Sequence, residues 1–159
     1  MGDENPLESR PPNIEDLIDI CKALNDSGAK YIVIGGMAII QQGFTRATED
    51  IDLLVDDQEE NIQRVKEALL TLPDRAAEDL EPQDIREYVA VRIGDEVNVD
   101  VMGEACGVDY AGAEHEVSVI ELRGVPIPFA SLPLLWRLKQ GVRAKDELDR
   151  EFLRRKLER

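Results

Sequence analysis

Histidine, tryptophan and cysteine are nearly missing from this chain, which has one His, one Trp and two Cys in 159 residues. Two cysteines cannot build a disulfide framework. Cys21 and Cys106 therefore read as free thiols of a reducing compartment, with the cytoplasm the expected setting. The lone His115 stands between Glu114 and Glu116 in a polar stretch, and no Cys/His spacing matches a zinc site. Trp136 sits among leucines at helical spacing, which suits a core or partner contact better than stacking on a base. No run approaches the roughly 20 apolar residues that span a bilayer. The first residues, MGDENPLESRPP, lack an apolar segment and read as neither a signal peptide nor an anchor.

Positive charge is also in short supply. Nineteen Lys and Arg face 34 Asp and Glu, for a net −15. Residues 137–159 nonetheless hold nine Lys/Arg against five Asp/Glu, a local +4 that leaves −19 on the other 136 residues. Such a body repels a nucleic acid backbone unless the basic end supplies the contact. A solvated amphipathic helix explains that basic end as well. Clustered carboxylates that hold cations are a second source of acidity.

What is present is an alternation of helical and extended patterns over one domain. Residues 1–12 read as a flexible tail and 13–159 as a single domain of α+β class, a mixed sheet flanked by helices with further helices at the C-terminus. Asn13 can cap a helix whose buried face is Ile14, Leu17, Ile18, Cys21 and Leu24, with Gly28 as its stop. Tyr31–Ile34 is a buried strand, broken by Gly35-Gly36 ahead of a short helix over 37–42. Asp50–Val55 is a second strand, and Asp56-Asp57 can cap a helix carrying Ile62, Val65, Leu69 and Leu72 up to Pro73. Residues 74–87 read as a loop with one helical turn. Val89–Ile93 and Val97–Val101 alternate around a two-residue Gly94-Asp95 turn, as in a hairpin. Residues 103–115 are irregular. The pair 117–120 and 125–127 reads as a minor or edge ladder, because Pro126 breaks a central one. Two helices close the chain, one from Ser131 with Leu134, Leu135 and Leu138, and one from Lys145 with Leu148, Phe152, Leu153 and Leu157.

The chemistry concentrates in Gly35-Gly36 and, after thirteen residues, Asp50-Ile-Asp52. Side chains two apart on a strand share a face, with Cα atoms about 6.6 Å apart. Asp50 and Asp52 therefore repel each other unless a cation lies between them, and magnesium favours a few carboxylates plus water and phosphate oxygens. In Val97-Asn-Val-Asp-Val101 the valines take one face, leaving Asp100 on the other. A neighbouring strand in register would bring Asp100 to the pair, and three carboxylates can hold two ions about 3.5–4 Å apart. The glycine turn lets a phosphate approach backbone N–H groups. Asp-x-Asp alone often just ends a strand, and Gly-Gly alone is equally weak. Their conjunction with a later Asp on an alternating strand is what carries the reading.

These residues resemble the nucleotidyltransferase superfamily that shares the DNA polymerase beta fold. The resemblance is carried by Ile34-Gly35-Gly36, Arg46, Thr48, Asp50-Ile-Asp52 and Asp100, and is greatest to minimal bacterial members, the AbiEii-type toxins and the nucleotidyltransferase partners of HEPN proteins. Leu138-Lys139…Arg143-x-Lys145-Asp146 ahead of a closing helix is similar to the same groups. The resemblance implies Mg²⁺-dependent transfer of a nucleoside monophosphate from an NTP to a hydroxyl of a protein or RNA, within a toxin–antitoxin system. It implies Asp50, Asp52 and Asp100 as catalytic ligands of two Mg²⁺ ions, and Gly35 and Gly36 as a phosphate-facing turn. Lys139, Arg143 and Lys145 become either triphosphate contacts or surface charges on amphipathic helices, and Arg46 and Thr48 either shape the loop before the strand or touch substrate. The partner would be a HEPN-like toxin or a tRNA acceptor. An alternative is a weak or inactive member that acts as an antitoxin by binding its partner. Many active members carry Ser where this chain has Gly36, which removes one hydroxyl from the turn.

Overall fold

A computed structural model describes residues 9–44, 46–139 and 144–158, with 144–146 described by backbone alone. Asn13 caps α1 (Ile14–Ser27) in a reciprocal capping box with Asp16, and Gly28 ends it at φ 76°. The buried face is Leu17, Ile18, Cys21 and Leu24 with Ile20 added, while Ile14 at the helix start is exposed. β1 (Tyr31–Ile34) is buried throughout and runs straight into α2 (Gly35–Gln41). The two glycines are thus the first turn of the helix and not a spacer before it. β2 (Asp50–Val55) leads through Asp56, whose carboxylate accepts from the Gln58 N–H, to α3 (Glu59–Leu69). Leu72 lies beyond the helix end.

Residues 74–87 form two short turns, a 3-10 turn at Ala76–Asp79 and α4 (Asp84–Glu87). The buried Asp95 carboxylate organises this stretch by accepting from the N–H groups of Asp74, Ala76 and Glu96. The expected hairpin is present as β3 (Val91–Gly94) and β4 (Asn98–Met102), but Gly94 pairs with Asn98, so the connection has three residues instead of two. Asp95 serves as a cap and not as a turn tip. The region expected to be irregular contains a small ladder of β5 (Glu104–Ala105) and β6 (Val108–Asp109), then α5 (Tyr110–Ala113).

β7 (Val117–Leu122) and β8 (Val125–Ala130) are longer than expected, and β8 is not an edge. The main sheet has the order β3-β4-β2-β1-β8-β7, mixed in direction, with β2 parallel to β4 and β1 parallel to β8. Ser131 N–H donates to Glu116 O, so odd-numbered N–H groups of β8 point towards β7. Pro126 and Pro128 therefore lack donors only on the β1 side, where pairing is limited to Val33 with Phe129. That is how a strand with two prolines sits inside a sheet. α1 packs on α3 and across β8, and α2 packs against β1, β2 and α6 (Leu132–Leu138). α7 (Ala144–Leu157) packs against α6 and buries Leu153, while Leu148 and Leu157, expected on its buried side, are exposed.

Of the expected tail, residues 1–8 lie outside the described residues. Residues 9–12 are tied to the body: Ser9 Oγ lies within 2.6 Å of Asp95 O, Arg10 N–H donates to Glu96 O, and Pro12 is buried. Both cysteines are free thiols, and burial pushes the Cys21 thiol up to about 12. Among the described residues, no helix is long and apolar enough to cross a membrane.

Candidate metal and nucleotide site

Register decides the site. In the parallel β2–β4 ladder Asp50 pairs with Asn98 and Asp52 with Asp100, while β1 places Ile34 opposite Asp52. Val97, Val99 and Val101 face the core with Ile51 and Leu53, which leaves Asp50, Asp52 and Asp100 on the opposite face. One carboxylate oxygen from each lies within 4.8 Å of the others, and all three side chains are half-buried. Oxygens that share one magnesium ion stand about 3–4 Å apart, so closing on a cation needs only small side-chain rotations. Three carboxylate oxygens and no sulfur or imidazole also suit a hard cation better than zinc.

Gly35 closes the site at the end of β1. Its φ is +69°, and a Cβ there would stand 2.0 Å from Asp52 Oδ2. Gly36 is crowded from another direction, because its Cβ would lie 2.5 Å from Thr48 Oγ1. The space beside position 36 is therefore filled by the Thr48 hydroxyl, which donates to Asp50 O at 3.1 Å. A hydroxyl absent from residue 36 is thus supplied next to it from the loop before β2.

Two residues that the sequence reading passed over are part of this arrangement. Arg92 of β3 pairs with Asp100 across the antiparallel ladder, on the carboxylate face. Its Nε and Nη2 lie 2.9 Å from the two Asp100 oxygens, and Nη2 lies 3.0 Å from Asp50 Oδ2. Hydrogen bonding to Asp100, with the charges of Asp50 and Asp52 nearby, raises its pKa above the ordinary arginine value. The alternation Val91-Arg92-Ile93 was the available signal, since the hairpin that places Asp100 on one face places Arg92 beside it. The second residue is Asp149 of α7, which is 1% exposed. It accepts from Arg46 Nη1 at 2.9 Å and lies 3.0 Å from Lys139 Nζ. An Asp four residues before the buried Leu153 was the sequence sign of it.

A cleft of about 730 Å³ runs over these groups. It is lined by Gly35, Gly36, Arg46, Thr48, the three aspartates, Arg92 and Lys139, with Val89, Met102, Cys106 and Leu138 as an apolar side. Every expected site residue from 35 to 139 therefore meets in one place. Arg143 lies outside the described residues, as does the side chain of Lys145. The volume is in the range of small-molecule pockets.

Residues 19–131 match the family described as Nucleotidyl transferase AbiEii toxin, Type IV TA system. The chain belongs to the AbiEii nucleotidyltransferase family. The family match takes in the glycine turn and all three aspartates but stops short of Lys139 and Asp149. The fold is similar to the crystal structure of a Thermotoga maritima protein assigned as a nucleotidyltransferase, with a TM-score of 0.54 over 91% of this chain and 92% of that one, at 19% identity. No curated protein matches the sequence. As an AbiEii-family member the protein is a nucleotidyltransferase by class, of the minimal kind, in a family named for toxin–antitoxin systems.

Proposed function

We propose that this AbiEii-family protein transfers a nucleoside monophosphate from an Mg²⁺-bound NTP to a hydroxyl of a protein or RNA acceptor, with release of pyrophosphate. The observation that carries the reading is the convergence of three carboxylate oxygens within 4.8 Å beside a glycine that no side chain could replace without striking Asp52. Asp50, Asp52 and Asp100 would hold two Mg²⁺ ions, which when bound neutralise the phosphates and lower the pKa of an acceptor hydroxyl. Asp100, across the ladder from Asp52, would take the proton from that hydroxyl once Arg92 has left its carboxylate. The oxygen of the acceptor hydroxyl then bonds to the α-phosphorus as the bond from that phosphorus to the α–β bridging oxygen breaks, and the bridging oxygen leaves with pyrophosphate. The Gly35-Gly36 turn and the Thr48 hydroxyl serve the phosphates. Lys139 and Arg46 supply positive charge towards the departing pyrophosphate, and by the family resemblance Arg143 and Lys145 would add to it. The apolar side of the cleft takes the base.

The net charge of −15 favours a basic protein acceptor or partner, such as a toxin of the HEPN type, over RNA. On α7 Arg154 and Arg155 both pair with Glu151, which lowers but does not cancel the positive charge a tRNA would meet. The test is labelling from radiolabelled NTP. Asp50→Asn with Asp52→Asn is expected to abolish it while circular dichroism stays unchanged. Undiminished labelling by that variant overturns the assignment and leaves a partner-binding, antitoxin-like role.

A further inference from the structure

Arg92 holds the positions that a metal ion would claim. Its guanidinium bonds both oxygens of Asp100 and one of Asp50, so two of the three carboxylates already share a cation. A metal oxygen bond of about 2.0–2.1 Å is far shorter than these contacts, and an ion drawing in Asp50 and Asp100 must take oxygens that Arg92 now engages. Nothing else among the described contacts fixes Arg92. It stands on the edge strand β3, its side chain is 53% exposed, and it lines the cleft. The guanidinium can therefore leave by side-chain rotation without disturbing the core. It also has somewhere to go, because a triphosphate in the same cleft offers pairs of oxygens that the planar guanidinium fork can bond bidentately, as it bonds a carboxylate.

We propose that Arg92 is an exchangeable counterion that couples metal loading to nucleotide binding. In the free protein it neutralises Asp50 and Asp100 and competes with the divalent cation. When the metal arrives with its nucleotide, the guanidinium moves from the carboxylates to the phosphates. The metal alone then binds poorly, the metal–nucleotide pair binds well, and the site stays closed to cations that bring no triphosphate. Coupling of this kind is reciprocal, so each ligand must strengthen the other by the same factor. The inference rests on the proposed metal role of the three aspartates and adds to it a residue that regulates their occupancy.

The test titrates Mn²⁺ into wild type, Arg92→Gln and Asp50→Asn/Asp52→Asn, following free Mn²⁺ by electron paramagnetic resonance. Each protein is titrated with and without a non-hydrolysable NTP analogue. Arg92→Gln keeps the side-chain stem on an exposed strand, and circular dichroism verifies its fold. It is expected to bind Mn²⁺ alone at least tenfold more tightly than wild type. The strengthening of Mn²⁺ binding by the analogue is expected to fall at least tenfold. Arg92→Lys should sit between the two, since it keeps the charge without the planar fork. Mn²⁺ affinity in Arg92→Gln within twofold of wild type, or weaker, overturns the proposal, as does an unchanged effect of the analogue. If neither wild type nor Arg92→Gln binds Mn²⁺, the metal reading itself fails. If both bind equally and the double Asp variant does not, only the role of Arg92 fails.

Discussion

Gly35 and Gly36 are adjacent, yet a methyl group at each would meet a different neighbour. At Gly35 it meets the Asp52 carboxylate at 2.0 Å, on a backbone at φ +69° that side chains avoid. At Gly36 it meets the Thr48 side chain at 2.5 Å, on an ordinary helical backbone. Gly35→Ala should therefore cost about 1–3 kcal/mol of stability and turn Asp52 out of the cluster. Gly36→Ala should leave the carboxylates in place and push Thr48 away from the turn. Under the proposed function the two variants separate. Mn²⁺ binding drops at least tenfold in Gly35→Ala and stays near wild type in Gly36→Ala, whereas binding of the nucleotide analogue falls in both. Equal loss of Mn²⁺ binding in the two would mean that the glycines shape the turn as a unit.

At the scale of elements, the start of α1 shows how a cap and a strap reinforce each other. Asn13 and Asp16 close the capping box, and Arg10 from the preceding segment forks onto Asp16 at 2.7 and 2.8 Å. The hydrogen bonds from Arg10 hold the Asp16 carboxyl below the usual aspartate range. A carboxyl with a lowered folded pKa adds stability that is complete above the unfolded value of about 4 and disappears as pH falls through the folded value. Asp16→Asn should thus lower stability by about 1 kcal/mol at pH 7. Thermal melts should show the gap to wild type closing as the pH falls below the ordinary aspartate range, and a gap that persisted in strong acid would assign the loss to packing instead of charge. The sequence made α1, β1 and β2 legible because local signals agreed: cap, apolar period and glycine stop for the helix, β-branched runs for the strands. The three aspartates were legible for the same reason, since period-two alternation fixes which face each takes. The central place of β8 was not, because Pro126 argues for an edge and only the tertiary pairing reveals that its missing donor faces a gap in the ladder. Nor was the bound segment at residues 9–12, whose partners Asp95, Glu96 and Asn98 lie more than 80 positions away.

Across the whole molecule, Asp149 is the joint between the sheet and the closing helices. It is buried, and it faces Arg46 from the loop before β2 and Lys139 from the end of α6. Arg150 adds a 2.7 Å bond to the Lys139 carbonyl. Both cations line the cleft, so one carboxylate on the last helix sets the position of two positive charges over the carboxylate cluster. Removing one member of a buried ionic group costs about 3–5 kcal/mol, because the remaining charges keep their desolvation without the attraction. Asp149→Asn should therefore sit at the lower end of that range, since the amide still accepts one hydrogen bond. Urea unfolding would measure it. Because the cluster of Asp50, Asp52 and Asp100 belongs to the sheet, Mn²⁺ binding should survive the substitution. Affinity for the nucleotide analogue should fall at least tenfold, because Lys139 and Arg46 lose the carboxylate charge that both of them face. If stability falls but nucleotide affinity does not, Asp149 fastens the helix alone, and the phosphates must be met by cations other than these two.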